Sequence, residues 1–104
     1  MILWDKKVYR VKLHGGYGKI LTDPLHGLIQ HLMVVPEKKD TVWSIGIIDE
    51  ENDMIYERID HVGRLDDKEG LPVGKDKQQK INIKIYDSTS NENFKVVLKI
   101  REHI

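Results

Sequence analysis

The chain has no cysteine and no alanine, and only one Phe, four Tyr and two Trp among its 104 residues. Without thiols it can form no disulfide, no cysteine-based zinc site and no thiol nucleophile. Redox compartment is therefore not written in the sequence. Alanine is the best helix former, and its absence comes with 13 Ile and 9 Val. β-Branched side chains suit the pleated surface of a sheet better than a helix. No apolar run approaches the ~18 residues of a membrane-spanning helix. The first residues, Met1-Ile2-Leu3-Trp4-Asp5-Lys6-Lys7, turn charged too soon for a secretory signal, so a soluble, unprocessed chain is expected.

Charge of one sign is also missing. There are 17 basic and 17 acidic residues, and each half of the chain is balanced on its own. Domains that neutralise many phosphates usually carry a clear basic excess, so no specific nucleic-acid partner is expected. A net charge near zero gives little colloidal repulsion, as suits a chain that packs against copies of itself.

What is present is period-two alternation. Tyr9, Val11 and Leu13 share one strand face, with Arg10, Lys12 and His14 on the other. Gly15-Gly16-Tyr17-Gly18 breaks that strand, Ile20-Leu21 forms a short one, and Thr22-Asp23-Pro24 reads as a turn. Residues 27–36, bounded by Gly27 and Pro36, form an apolar strand buried on much of both faces. Residues 41–48 and 54–62 form a hairpin around the polar connection Asp49-Glu50-Glu51-Asn52-Asp53. Residues 63–77 are the longest irregular stretch. Two alternating strands, around Ile81, Ile83 and Ile85 and around Phe94, Val96, Leu98 and Ile100, read as a closing hairpin. The expected fold is one all-β domain over residues 1–104, an antiparallel β-sandwich or jelly roll of six to eight strands, with residues 1–7 as an N-terminal arm.

Chemistry is sparse, and no catalytic set, metal site or cofactor is expected. His26 and His31 are an odd number apart, which places them on opposite strand faces, and His14, His61 and His103 belong to no ligand pattern. Ser44, Ser88 and Ser90 lack the Gly-x-Ser-x-Gly elbow. The acidic groups Asp49-Glu50-Glu51 and Asp66-Asp67 fall in loops, and the first does not follow the ligand order of an EF-hand. Gly15 to Lys19 is not a phosphate-binding loop, because no helix follows it. Lys80, Lys84, Lys95, Lys99 and Arg101 give the closing hairpin a basic face, read as a solvated surface whose lysines discourage edge-to-edge pairing. Trp43 shares a face with Ile45 and Ile47 and reads as core. Ile2, Leu3, Trp4, Leu28 and Leu32 are candidate subunit-interface residues, the last two if Ile29, Met33 and Val35 face the core.

The order of segments resembles a pattern common to small virion structural proteins of tailed bacteriophages. The matching pieces are Gly27 to Val35, Val42 to Ile48 with Met54 to Ile59, Leu71-Pro72-Val73, and the closing strands Ile81 to Ile85 and Phe94 to Ile100. The resemblance implies a non-enzymatic, self-assembling particle component, a capsid decoration or tail accessory protein. It further implies homo-oligomers, trimers foremost, that contact other virion proteins. The alternative expectation is a carbohydrate- or peptide-binding sandwich module using Trp4, Tyr17 or the 63–77 stretch. A metal-dependent enzyme in a β-barrel frame would need histidines or carboxylates to converge.

Overall fold

The computed structural model describes residues 2–74 and 77–103, the side chains of Ile2 and His103 excepted. Its nine strands are β1 (Ile2–Lys12), β2 (Gly18–Leu21), β3 (Gly27–Pro36), β4 (Val42–Ile48), β5 (Met54–Val62), β6 (Leu65–Asp67), β7 (Leu71–Val73), β8 (Asn82–Tyr86) and β9 (Asn93–His103). They form an all-β sandwich of two antiparallel sheets. One runs β1-β9-β3-β6, with β7 also on β3; the other runs β2-β8-β4-β5. Between them Trp43, Phe94, Leu98, Ile100, Ile45, Ile47, Ile83 and Ile85 are almost wholly buried. The branched side chains of alternating positions supply this core, which is why alternation is so regular in the sequence.

Of the expected N-terminal arm, residues 2–7 are the first half of β1 and pair with β9 in unbroken register, while Met1 lies outside the described residues. The irregular stretch is also partly ordered as strand. It contributes β6 and β7, both paired to β3, with Leu65, Asp67 and Val73 buried.

The closing hairpin does not exist. β8 pairs with β2 and β4, while β9 pairs with β1 and β3, so the two strands lie in opposite sheets. Alternation fixes which face of a strand is apolar. It does not fix whether the next strand lies beside it or across the core, and both arrangements bury the same side chains.

A bulge corrects the reading of β3. The β3–β9 register shifts between Ile29 and His31. The extra residue, Gln30, lets Ile29 and Leu32 both face the core although they are three apart. Leu32 is therefore a core residue and not an interface one. Met33 and Val35 are half-buried on the outer face instead.

Two corners use glycine. Gly15 and Gly16 both have positive φ, and His14 and Tyr17 exchange backbone hydrogen bonds around them. This two-residue turn of primed type carries the chain from β1 in one sheet to β2 in the other. Gly63, at φ +71°, follows β5. A Cβ there would strike the Lys39 carbonyl. Its own carbonyl accepts the indole N–H of Trp43 at 2.7 Å, tying the largest core side chain to the corner.

Candidate functional site

Among the described residues, no histidine belongs to a group of three side chains close enough to hold a metal ion. His31 Nε2 lies 2.9 Å from Asp66 Oδ1, and Arg64 Nε donates to the other Asp66 oxygen at 2.6 Å. His61, in the opposite sheet, contacts the Arg64 carbonyl through Nε2 at 2.7 Å and sits edge-on to Trp43. Asp66 is held below its usual range, by the Arg64 hydrogen bonds first and His31 second.

Among the described residues, Asp49, Glu51 and Asp53 have carboxylate oxygens within 4.8 Å of one another. They form the β4–β5 turn, and Asp49 Oδ1 accepts the Glu51 and Asp53 amides at 3.0 and 2.9 Å. These bonds shape the turn, and such local side-chain-to-backbone bonding is what Asp does at turns generally. Ser44 is fully buried, and its Oγ accepts the Asp60 amide at 3.0 Å. Ser88 donates to the Ser90 carbonyl at 2.7 Å. Both hydroxyls are committed to backbone structure.

Asp67, next to Asp66 in sequence, points the other way, into the space between the sheets. It accepts the Tyr56 hydroxyl at 2.7 Å, the Arg58 guanidinium at 2.9 Å and the Glu69 amide at 2.9 Å. Burial pushes its pKa up, but the amide, hydroxyl and guanidinium outweigh burial and hold it below the ordinary carboxylate value. Tyr56 is pushed up to about 12, by burial and then by the Asp67 hydrogen bond. A carboxylate kept ionised and a phenol kept protonated form a clamp between β5 and β6, the open edges of the two sheets; neither is poised to exchange protons near neutrality. A cavity of about 210 Å³ lies beside them, lined also by Ile29, Leu32 and Leu71.

A second clamp sits at the 37–41 connection. Glu92 accepts the Lys38 amide and the Thr41 hydroxyl, each at 3.0 Å. Burial opposes its charge, and the Lys38 amide, Ser90, Thr41 and the Glu37 backbone together still lower its pKa.

The remaining distinctive surface is the outer face of the β1-β9-β3 sheet. Cross-strand rows run Trp4–Arg101–Leu28, Lys6–Lys99–His31, Val8–Val97–Met33 and Arg10–Lys95–Val35, followed by Lys12–Asn93. Trp4 is 63% and Val8 46% exposed, whereas Val97 between its neighbours is buried. Leu3 is exposed on the other face of β1, and the side chain of Ile2 lies outside the described residues. Of the expected interface set, Trp4 and Leu28 share one row, and Leu32 is in the core. The expected basic face is split. Lys95, Lys99 and Arg101 lie here, while Lys84 projects from the opposite sheet, where it pairs across to Lys19 and Gly46, and Lys80 precedes that strand. Lys6, Arg10 and Lys12 join the first three. Their shared parity was visible in the sequence; their adjacency to β9 was not.

No family model matches the chain, nor does any curated protein or solved structure.

Proposed function

We propose that the protein is a non-enzymatic structural subunit that associates with copies of itself. The observation that carries this is the free edge of β1. β1 holds eleven residues in unbroken register with β9 and, among the described residues, has no strand on its other side. It also carries three exposed apolar side chains, Leu3, Trp4 and Val8. An open, regular, partly apolar edge is a template for another chain. The other long edge, β5, is interrupted by two register shifts, the usual way of blunting an edge. The strand-order resemblance to virion proteins of tailed bacteriophages supports placing this role in a virus particle, as a decoration or tail accessory component.

A twofold antiparallel pairing of two β1 strands centred on Lys6 would place Trp4 opposite Val8 of the copy, Leu3 opposite Tyr9 and Asp5 opposite Lys7. Only Lys6 would face its own like. This register makes a testable geometry, because directly opposed Cα atoms lie ~4.5–5.5 Å apart, within disulfide reach. In this cysteine-free chain, Lys6→Cys is expected to oxidise to a covalent dimer, and Lys12→Cys to do so far less. A wild-type chain that sediments as a monomer at every concentration would sink the self-association reading; equal crosslinking from both variants would sink only the register.

The exposure of Trp4 also favours a second reading, a ligand-binding sandwich with Trp4 as an aromatic platform. Since Trp43 is buried, Trp4 dominates solvent-sensitive emission. A saturable emission change on adding neutral oligosaccharides, abolished by Trp4→Ala, would decide for this reading; an unchanged spectrum decides against carbohydrate.

A further inference from the structure

We infer that the outer face of the β1-β9-β3 sheet binds duplex nucleic acid through its phosphates, without regard to base sequence. The inference stands whether or not the subunit self-associates.

Six cations, Lys6, Arg10, Lys12, Lys95, Lys99 and Arg101, share this face. None takes part in an ion pair among the described residues; the paired groups are Lys7, His31, Arg58 and Arg64 with their carboxylates. Among the described residues, Asp66 on this face is already held by Arg64 and His31, and Glu37, at the Lys12–Asn93 end, accepts the Asn93 amide at 2.8 Å. Lys6 lies directly opposite Lys99, and Arg10 directly opposite Lys95. Like charges in that relation destabilise a sheet. Two such pairs between the neighbouring strands β1 and β9 therefore cost the free protein stability, and an anion bound over them relieves that cost. A solvated face meant only to discourage edge pairing needs its lysines on the edge strand, not matched by cations on the adjacent interior strand β9.

The arrangement favours a repeating polyanion. Side chains of one face recur every ~6.8 Å along a strand and ~4.8 Å across strands, so the cations form a rigid array about 20 Å long from Lys6 to Lys12. A duplex offers one phosphate charge per ~1.7 Å of its axis, in a similarly regular array. Single strands are bound on sheets by several stacking aromatics, and among the described residues this face has only Trp4. An anionic bilayer fits less well. Val8 stands between the longer Lys6 and Arg10 side chains and cannot reach past them to insert among acyl chains. The even distribution of charge along the chain hid this face, because acidic residues that balance it lie elsewhere: Asp49, Glu50, Glu51 and Asp53 on a turn, Glu57 and Asp60 on the opposite sheet, and Asp5 and Glu102 at the inward-facing positions of β1 and β9.

The test is anisotropy of a labelled mixed-sequence duplex of about 20 base pairs with the full chain. Neutralising about five or six phosphates predicts a slope of log affinity against log salt near −5, the same for an unrelated sequence. Lys6→Glu/Arg10→Glu converts both like-charge pairs into opposite-charge pairs. It is expected to keep or raise the melting temperature while weakening binding at least tenfold and reducing the slope by about two. Opposite movement of stability and binding excludes unfolding as the cause. Lys80→Glu/Lys84→Glu, the same charge change on the other sheet, is expected to bind within about threefold of wild type. The inference is overturned by no binding at ~20 mM salt, where screening is weak, by equal losses from the two double variants, by a base-sequence preference, or by tighter association with phosphatidylserine vesicles than with the duplex.

Discussion

Replacing Trp43 with alanine is expected to leave the chain largely unfolded at physiological temperature. Trp43 is fully buried between the sheets. It packs edge-on against Phe94 and His61, with ring centroids 5.3 and 5.4 Å away, and donates its indole N–H to the Gly63 carbonyl. Truncating a buried tryptophan costs ~3–5 kcal/mol, and an orphaned buried carbonyl adds ~1–3 kcal/mol. A domain of this size has only about 5–15 kcal/mol in total. Trp43→Phe keeps a ring against Phe94 and loses the hydrogen bond, so it should cost roughly 1–3 kcal/mol and stay folded. Urea denaturation followed by circular dichroism measures both. If Trp43→Ala cost less than ~1.5 kcal/mol, well under the usual range for such a truncation, the central place given to this side chain would be wrong.

Asp67→Ala is expected to be the next most damaging change. The carboxylate is 8% exposed and joins β6 to Tyr56 and Arg58 of β5, across the gap between the sheets. Removing it leaves a phenol and a guanidinium without their partner. Breaking a buried pair costs ~3–5 kcal/mol, but the Arg58 side chain is 44% exposed. Solvent compensates part of that loss, so about 2–3 kcal/mol is expected. This corresponds to a fall in melting temperature of roughly 10–20 °C. The clamp also sets an acid limb. The pKa of Asp67 is lower folded than unfolded. Its stabilisation is therefore complete above an unfolded value near ~3.9 and disappears as pH falls below it. Glu92 has the same sign and should lose its stabilisation over the same acid range. Asp67→Asn should flatten the acid limb without abolishing it, since Glu92 remains. A melting temperature within about 3 °C of wild type, under a 1 kcal/mol change for such a domain, would show that the clamp carries little stability.

Much of this clamp lay beyond the reach of the sequence. Asp66 and Asp67 are adjacent and look alike, a loop pair expected to be solvated. A three-residue strand turns one to the outer face and the other inward, and their electrostatic roles diverge. Tyr56 and Arg58 were legible as members of a strand, not as the partners of a carboxylate eleven and nine residues away. The β3 bulge was equally hidden. Strict alternation would have sent Ile29 and Leu32 to opposite faces, and one extra residue reconciles them.

The sequence by itself determined that this is an all-β domain, where most strands fall, that Trp43 belongs to the core, and that 41–62 is a hairpin. These follow from local physics, because side-chain direction alternates along a strand and turn residues punctuate it. Tertiary structure decided which strands are neighbours. β8 and β9 present the same alternation whether they pair or face each other, and the six residues between them can span either course. That choice set residues 2–7 beside β9 and brought Lys6, Arg10 and Lys12 against Lys95, Lys99 and Arg101. It also put Lys80 and Lys84 out of reach on the far sheet. Pairing is a contest among all strands for shared burial, and no single segment carries its outcome.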